Sequence, residues 1–369
     1  MRIEKIKLSV VSMKLKTPFI THLGTVHERE GIVIEVMNRD GVFGFGEVVA
    51  FSSPWYTEET VQTSLHMLKE FFIPMIFQHH IEHPSEVSPV FNQFRRNFMA
   101  KAGLEMAIWD LYAKEREQSL SSLLGGTRSA IPSGVVVGAK SMKETLLQIE
   151  RNLENGYKRV KVKISPQNDY EYIQSIRTHF PHVELMADAN SAYILKDTHR
   201  LKALDEFGLL MIEQPLGYDD IVEHAKLQSV LQTPICLDES IVTLDDAKKA
   251  IELGSCRVIN IKAGRVGGIQ TVKDIHDFCL EKGVPVWCGG MLEFGISRAH
   301  NIAIASQPNF TIAGDISASS RYWEEDITTP EVMVHNGMID VPSGPGIGYE
   351  INRERLKDVT IFEESFTKQ

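Results

Sequence analysis

Between Lys161 and Lys262 the residues best suited to chemistry recur at a nearly constant interval. Lys163 to Asp188, Asp188 to Glu213 and Glu213 to Asp238 are each 25 residues, and Asp238 to Lys262 is 24. Lysines and carboxylates are groups that move protons and, in the case of carboxylates, hold hard cations. Each of the five stands at or just after a short apolar run: VKVKI, VELMADAN, LLMIEQP, TPICLDES and RVINIKAG. A strand of about five residues, a loop and a helix of about three turns add up to this period, so the spacing predicts consecutive βα units. Five polar groups then end five successive parallel strands on one rim.

Side chains alternate across a strand, so Lys161 and Lys163 share one face while Val160, Val162 and Ile164 share the other. The valines suit the layer that meets the helices, which turns both lysines toward a barrel interior. Counted from a first strand near Val135, Lys163 ends the second, Asp188 the third, Glu213 the fourth, Asp238 the fifth and Lys262 the sixth. The second and sixth strands face each other in a ring of eight, with the carboxylates along the arc between them. Three buried carboxylates that converge repel one another unless a cation sits among them. Oxygen-only ligands favour Mg²⁺, with Mn²⁺ as a substitute, over zinc. Read singly, Asp188 and Asp238 fit caps of the helices that follow them better than metal ligands; read as a trio with Glu213 on adjacent strands, they fit a metal. A lysine beside such a site becomes a general base when neighbouring cations and desolvation lower its pKa. The chemistry that results is abstraction of the proton α to a carboxylate. The plainer alternative is that the lysines only neutralise the acids as salt bridges.

The surrounding elements must supply that barrel. Residues 1 to about 50 read as a β-meander, with a turn at Asp40-Gly41, and from about Thr57 to Leu124 the apolar period is helical. Gly125-Gly126 ends this stretch, so an α+β domain is expected over 1–126, a barrel over 127–340, and a C-terminal segment over 341–369 that returns to the first domain. Eight strands are expected in the barrel, near Val135, 162, 186, 211, 236, 260, Val286 and Ile312, with active-site groups at their C-terminal ends. Ser141 and Thr243 are predicted N-caps, and Gly156 and Gly254 helix stops.

Two other motifs carry less. His79-His80-Ile81-Glu82-His83 matches a zinc-peptidase pattern, but Pro74 and Pro84 leave barely two turns for the helix it needs. Gly41, Gly44 and Gly46 lead into another strand, which fits a hairpin better than a dinucleotide loop. With 49 acidic and 39 basic residues and a formal charge of −10, the chain has no broad basic face for nucleic acid or anionic membrane. Four single cysteines without CxxC spacing read as reduced thiols of a cytoplasmic protein, and no apolar run is long enough to span a membrane.

With these residues in place, the chain resembles the muconate lactonising enzyme subgroup of the enolase superfamily. KVK at 161–163, DAN at 188–190, EQP at 213–215, DES at 238–240 and NIKAGRVGG from Asn260 carry the resemblance, together with KAGLEMAIWDLYAK from Lys101. WCGGMLEFGISRAHNIAIASQPNFT and GDISASSRYW look most like the branch that holds o-succinylbenzoate synthases and N-acylamino acid racemases. The resemblance implies a (β/α)₇β barrel, an α/β fold of TIM type, under an N-terminal α+β capping domain completed by the C-terminal segment. It implies Mg²⁺ on Asp188, Glu213 and Asp238, with Lys163 and Lys262 flanking a small carboxylate substrate. In the synthase reaction Lys163 would take the α proton of a succinyl-hydroxycyclohexadiene carboxylate and return it to the departing hydroxyl, a syn dehydration of menaquinone synthesis. Lys262 would then steady the enediolate as a cation, whereas in N-succinylamino acid racemisation the two lysines would be opposed bases.

By the same resemblance Lys161, Asn190 and Glu239 are accessory groups. Loops at 17–26 and 50–56 should cover the site with Phe19, Phe51 and Trp55, while Gly290, Met291 and Tyr322 are candidate substrate contacts from the barrel. Relatives imply a homo-oligomer. Dipeptide epimerases of the subgroup carry Asp-x-Asp after the last strand, where this chain has Asp315-Ile316-Ser317. Rival readings are a dedicated N-acyl- or N-succinylamino acid racemase, which would share every catalytic residue, a Schiff-base aldolase using Lys262 and a metal-binding barrel without catalysis.

Overall fold

The structure, a computed structural model, describes residues 1–21, 24–138 and 141–368; the side chains of 19–21, 24 and 25 lie outside that description. The chain opens with three antiparallel strands, β1 (Ile3–Thr21), β2 (Gly24–Asn38) and β3 (Phe43–Val48). Alternation sets their register: Ile6, Leu8 and Val10 pair with Val36, Ile34 and Ile32, and all six are buried. On this face packs the helix Phe98–Glu115. Gly44 and Gly46 are there for that contact, since a Cβ on Gly46 would lie 2.0 Å from the carbonyl of Gly103 in the helix. The His79–His83 stretch is a surface connection. His79 and His80 are exposed, and the His83 ring packs on Trp109 and Tyr112 at 5.2 and 4.8 Å.

After β4 (Ala130–Pro132) come seven parallel strands in one curled sheet, in chain order. They are β5 (Val135–Val137), β6 (Arg159–Lys163), β7 (Glu184–Asp188), β8 (Ile212–Glu213), β9 (Ile235–Leu237), β10 (Val258–Ile261) and β11 (Val286–Cys288). The eighth strand expected near Ile312 is not a regular one. Its segment bends at Asn309–Thr311 and touches each neighbour through two backbone hydrogen bonds: Val286 N to Asn309 O at 3.3 Å and Asp315 N to Cys288 O at 2.9 Å on one side, Gly314 N to Pro132 O at 3.2 Å and Gly134 N to Gly314 O at 2.8 Å on the other. Those bonds bridge the sheet's two edges. Helices cover the outside, and their ends follow the capping rules: Thr243 Oγ1 accepts from Asp246 N, and Gly254 stops the helix Leu244–Leu253 at φ 74°.

Val160 and Val162 join the core between sheet and helices, while Arg159 and Lys161 point inward. The barrel floor is a small apolar layer of Met186, Met211, Cys236, Val258 and Trp287. Beyond the barrel, β12 (Thr328–Thr329), β13 (Met338–Asp340) and β14 (Glu350–Ile351) make short pairs, β13 with β4 and β12 with β14. The last strand, β15 (Thr360–Thr367), joins the edge of β1 in the first sheet. Cys236, Cys256, Cys279 and Cys288 are free and buried. Among the described residues no helix is long and apolar enough to cross a membrane.

Candidate active site

The parallel register sets the rim side by side: Lys163 pairs with Asp188, and Asp188 with Glu213, on neighbouring strands. Asp188, Glu213 and Asp238 are almost wholly buried, and so are Lys161 and Lys262. Lys163 differs, with 50% of its side chain exposed at the mouth. Its Nζ donates to Asp188 Oδ2 and to Asn190 Oδ1, both at 2.5 Å. Asn190, held at φ 40°, donates from its backbone N–H to Asp188 Oδ1 at 3.1 Å and from Nδ2 to Glu239 Oε1 at 3.3 Å. One asparagine thus spans the third and fifth strand ends.

Across the barrel, Lys262 Nζ donates to Asp238 Oδ2 and to the Tyr56 hydroxyl, each at 2.8 Å. The Tyr56 hydroxyl also lies 3.5 Å from Asp238 Oδ2, and Arg265 grips Asp238 Oδ1. Gln214 orients this carboxylate from behind, its Oε1 accepting from Asp238 N at 3.0 Å and Ser240 N at 3.3 Å. In the centre, Lys161 Nζ reaches three carboxylates: Asp315 at 2.5 Å, Glu213 at 3.0 Å and Asp188 at 3.3 Å. Asn260 Nδ2 donates to the other oxygen of Glu213 at 2.7 Å, and Arg159 Nη2 reaches Asp315 at 2.5 Å.

The electrostatics follow from who shares which cation. Burial opposes the charge on Asp188, yet Lys163 and Lys161 hold its carboxyl well below the usual range. Burial and then Asp188 push Glu213 up to about 8, although Lys161 is in contact with it. The reason is that Lys161 divides one positive charge among three acids. Burial and Asp238 likewise raise Glu239 to about 7, and its Oε2 has no hydrogen-bond partner among the described residues. A site lysine was expected to have its pKa lowered; Lys262 goes the other way. Desolvation does pull it down, but Asp238 and Tyr56 outweigh that and hold it above its ordinary value.

Five of the expected residues, Lys163, Asp188, Glu213, Asp238 and Lys262, therefore meet at one mouth, with Lys161, Asn190 and Glu239 in contact with them. Among the described residues no three His, Cys, Asp or Glu side chains stand close enough together to hold an ion; each carboxylate is drawn toward a lysine or arginine instead. Phe51, Trp55, Met291 and Tyr322 share one apolar cluster between the first domain and the barrel. The Phe51 and Trp55 rings are 4.5 Å apart, and Trp55 and Tyr56 5.8 Å. Gly290 packs so tightly on the end of the eighth segment that a Cβ would sit 2.2 Å from Asp315 O. The Phe19 side chain lies outside the described residues.

Tyr56, Arg265, Asn260 and Asp315 are neighbours of these groups that the spacing did not single out. Asn260 was within reach, because it stands two residues before Lys262 and so shares its face. Asp315 is not free to hold a substrate ammonium: Lys161 and Arg159 both pair with it.

Comparison with known proteins fits this geometry. Residues 144–355 match the family described as "Enolase C-terminal domain-like", and residues 4–125 match "Mandelate racemase / muconate lactonizing enzyme, N-terminal domain". The chain belongs to this family of the enolase superfamily. It is 58% identical over 365 residues, 99% of this chain and 97% of the relative, to an o-succinylbenzoate synthase of Geobacillus stearothermophilus. To an N-succinylamino acid racemase of Thermus thermophilus it is 44% identical over 364 residues, 98% of each chain. A crystal structure of an enolase superfamily member from Listeria innocua superposes with a TM-score of 0.98 at 41% identity, over 100% of both chains. The capping domain and TIM-like barrel are thus those of the superfamily.

Proposed function

We propose that this enzyme is an o-succinylbenzoate synthase, dehydrating a succinyl-hydroxycyclohexadiene carboxylate by way of an enediolate. The observation that carries this choice is the unequal setting of the two lysines. Lys163 stands half-exposed at the mouth, where a substrate can reach its Nζ. Lys262 is buried and held as an ammonium by Asp238 and Tyr56. One base and one fixed cation suit a syn elimination, in which a single group takes a proton and returns it on the same face.

Lys163 Nζ, as the amine, removes the proton α to the substrate carboxylate and then delivers it to the departing hydroxyl, which leaves as water. Lys262 places its positive charge against the charge that develops on the carboxylate oxygens. Asn190 positions Lys163, and the Phe51–Trp55–Tyr56 aromatic group with Met291 excludes water from the mouth. Asp188, Glu213 and Asp238 are the residues that would hold Mg²⁺, or Mn²⁺ in its place. Their donor set fits a hard cation: all donors are carboxylate oxygens, and Glu213, kept at about 8 by burial and Asp188, shares its one close cation, Lys161, with Asp188 and Asp315. When bound, the ion supplies charge that binds the substrate carboxylate and lowers the cost of forming the enediolate.

The relative named as a racemase supports a second activity, racemisation of N-succinylamino acids, in which Lys262 must give up its proton and act as the base on the opposite face. One measurement separates the two: kcat/KM for the dehydration and for N-succinylamino acid racemisation on the same Mg²⁺-loaded preparation. Dehydration is expected to be the faster, and turnover with neither substrate would overturn the reading. Free, buried cysteines support a cytoplasmic location in menaquinone synthesis. Exposed Ile361 and Phe362 on the edge strand β15 support assembly into a homo-oligomer, which sedimentation measures.

A further inference from the structure

We infer that Arg29, on β2 of the capping domain, is a positioning residue for the acyl portion of the substrate. Its guanidinium is 1% exposed and lies where two loops meet. Nε donates to Leu292 O at 2.7 Å, Nη1 to Ala50 O at 2.7 Å and Nη2 to Val49 O at 2.8 Å. Two of those carbonyls begin the capping-domain loop that carries Phe51, Trp55 and Tyr56. The third belongs to the barrel loop just after Met291. The planar guanidinium also lies 4.7 Å from the centre of the Phe51 ring, so it supports the aromatic group from behind.

A buried arginine needs its charge answered, and an ion pair alone would do that with no consequence for geometry. Here each of the three nitrogens spends a hydrogen bond on a backbone carbonyl, and the three carbonyls come from both domains. The rigid fork therefore fixes the separation of the two loops. Glu47 completes the grip on the barrel side. Its two oxygens accept from Phe294 N and Ser297 N, each at 2.9 Å, so one cation holds a carbonyl and one carboxyl group holds two amides of the same short segment. The contact is close: a Cβ on Gly31 would lie 2.8 Å from the Phe294 ring.

The loops held in this way present Phe51, Trp55 and Met291 in one apolar cluster, and Tyr56 reaches Lys262. Arg29 touches none of the reacting atoms. It sets the walls that meet the part of the substrate remote from the α carbon, an assignment that rests on the reading of the mouth given above.

The test compares wild type, Arg29→Lys and Arg29→Met on Mg²⁺-loaded enzyme. Arg29→Lys keeps the charge but cannot reach three carbonyls. Its KM for an N-succinylamino acid is expected to rise roughly tenfold with kcat within about threefold, and for the N-acetyl analogue, which lacks the distal carboxylate, to rise far less. Amide hydrogen exchange should quicken at residues 51–56 and 291–294 together, and stay unchanged in the helix Ile269–Lys282. An unchanged KM, an equal loss with both acyl groups, or faster exchange across the whole capping domain would overturn the inference. If Arg29→Met does not fold, Arg29→Lys decides alone. Wild-type enzyme inactive with every substrate would defeat the functional reading instead, and the exchange experiment would still judge the positioning of the loops.

Discussion

Two groups of buried carboxylates in this molecule, at the barrel mouth and at the joint between the domains, are answered in two ways. At the barrel mouth Asp188, Glu213 and Asp238 face lysine and arginine side chains. At the joint between the domains Glu47 and Glu105 face backbone amides at helix starts: Glu105 accepts from Ile269 N at 2.8 Å and Gln270 N at 2.9 Å. Side-chain cations on flexible stems can be displaced by substrate or by a divalent ion. Amides built into a helix cannot be displaced, and they satisfy the carboxyl oxygens without adding a mobile group. The mouth is therefore built for exchange of partners and the joint for permanence.

Substitutions at the mouth should break function first. Lys163→Ala and Lys262→Ala are each expected to lower dehydration by on the order of 10³-fold or more, with Mg²⁺ binding by calorimetry largely intact. Retained turnover in Lys163→Ala would remove it as the base. Asp238→Ala should weaken turnover and Mg²⁺ binding together, and leave Lys262 and Arg265 unpaired at a cost of roughly 3–5 kcal/mol in denaturant unfolding. At the joint the order reverses. Glu105→Gln is expected to cost about 1–3 kcal/mol of stability while kcat changes little, and a kcat loss as large as that of Lys262→Ala would erase the distinction between the regions.

The smallest effect is one of pH. Burial raises Glu47 from 4.5 to about 8, so between those values the folded protein holds a proton that the unfolded chain has released. Its contribution to stability is then full below the lower value and falls as pH rises through the window. Glu47→Gln cannot titrate, so its melting temperature should fall less than that of wild type between about pH 5 and about pH 8. Equal slopes would show that Glu47 does not control that part of the profile.

The same contrast explains what could be read from the chain before folding. Lys163, Asp188, Glu213, Asp238 and Lys262 were legible because a repeated βα unit returns the chain to the same rim, and strand alternation gives the facing. FTIAGD does take the eighth position, with parallel bridges to both edges of the sheet, but its bend at Asn309–Thr311 keeps it from pairing as a regular strand. Tyr56 lies in the loop 50–56 expected over the site, but its contact with Lys262 was not legible. It comes from a different domain, 206 residues before Lys262, and nothing local specifies which barrel group a capping-domain loop will meet. Arg265 and Asp315 follow strand ends on the same rim, but their partners depend on side-chain lengths that periodicity does not encode. The tight fit of Gly44 and Gly46 beneath the Phe98–Glu115 helix is equally non-local.

The floor of the barrel makes the molecule its own indicator. The indole of Trp287 lies under Lys161 and Arg159, with cation-to-ring-centre distances of 5.0 and 5.2 Å, and its Nε1 donates to Cys236 Sγ at 3.3 Å. Indole emission responds to the charge above its plane. A ligand that draws Lys161 away from Glu213 would shift the colour and lifetime of that emission without any label. With Trp55→Phe, Trp109→Phe and Trp323→Phe combined, Trp287 would be the single fluorophore of its kind in the 369-residue chain, and a titration read in its light would follow the mouth from below.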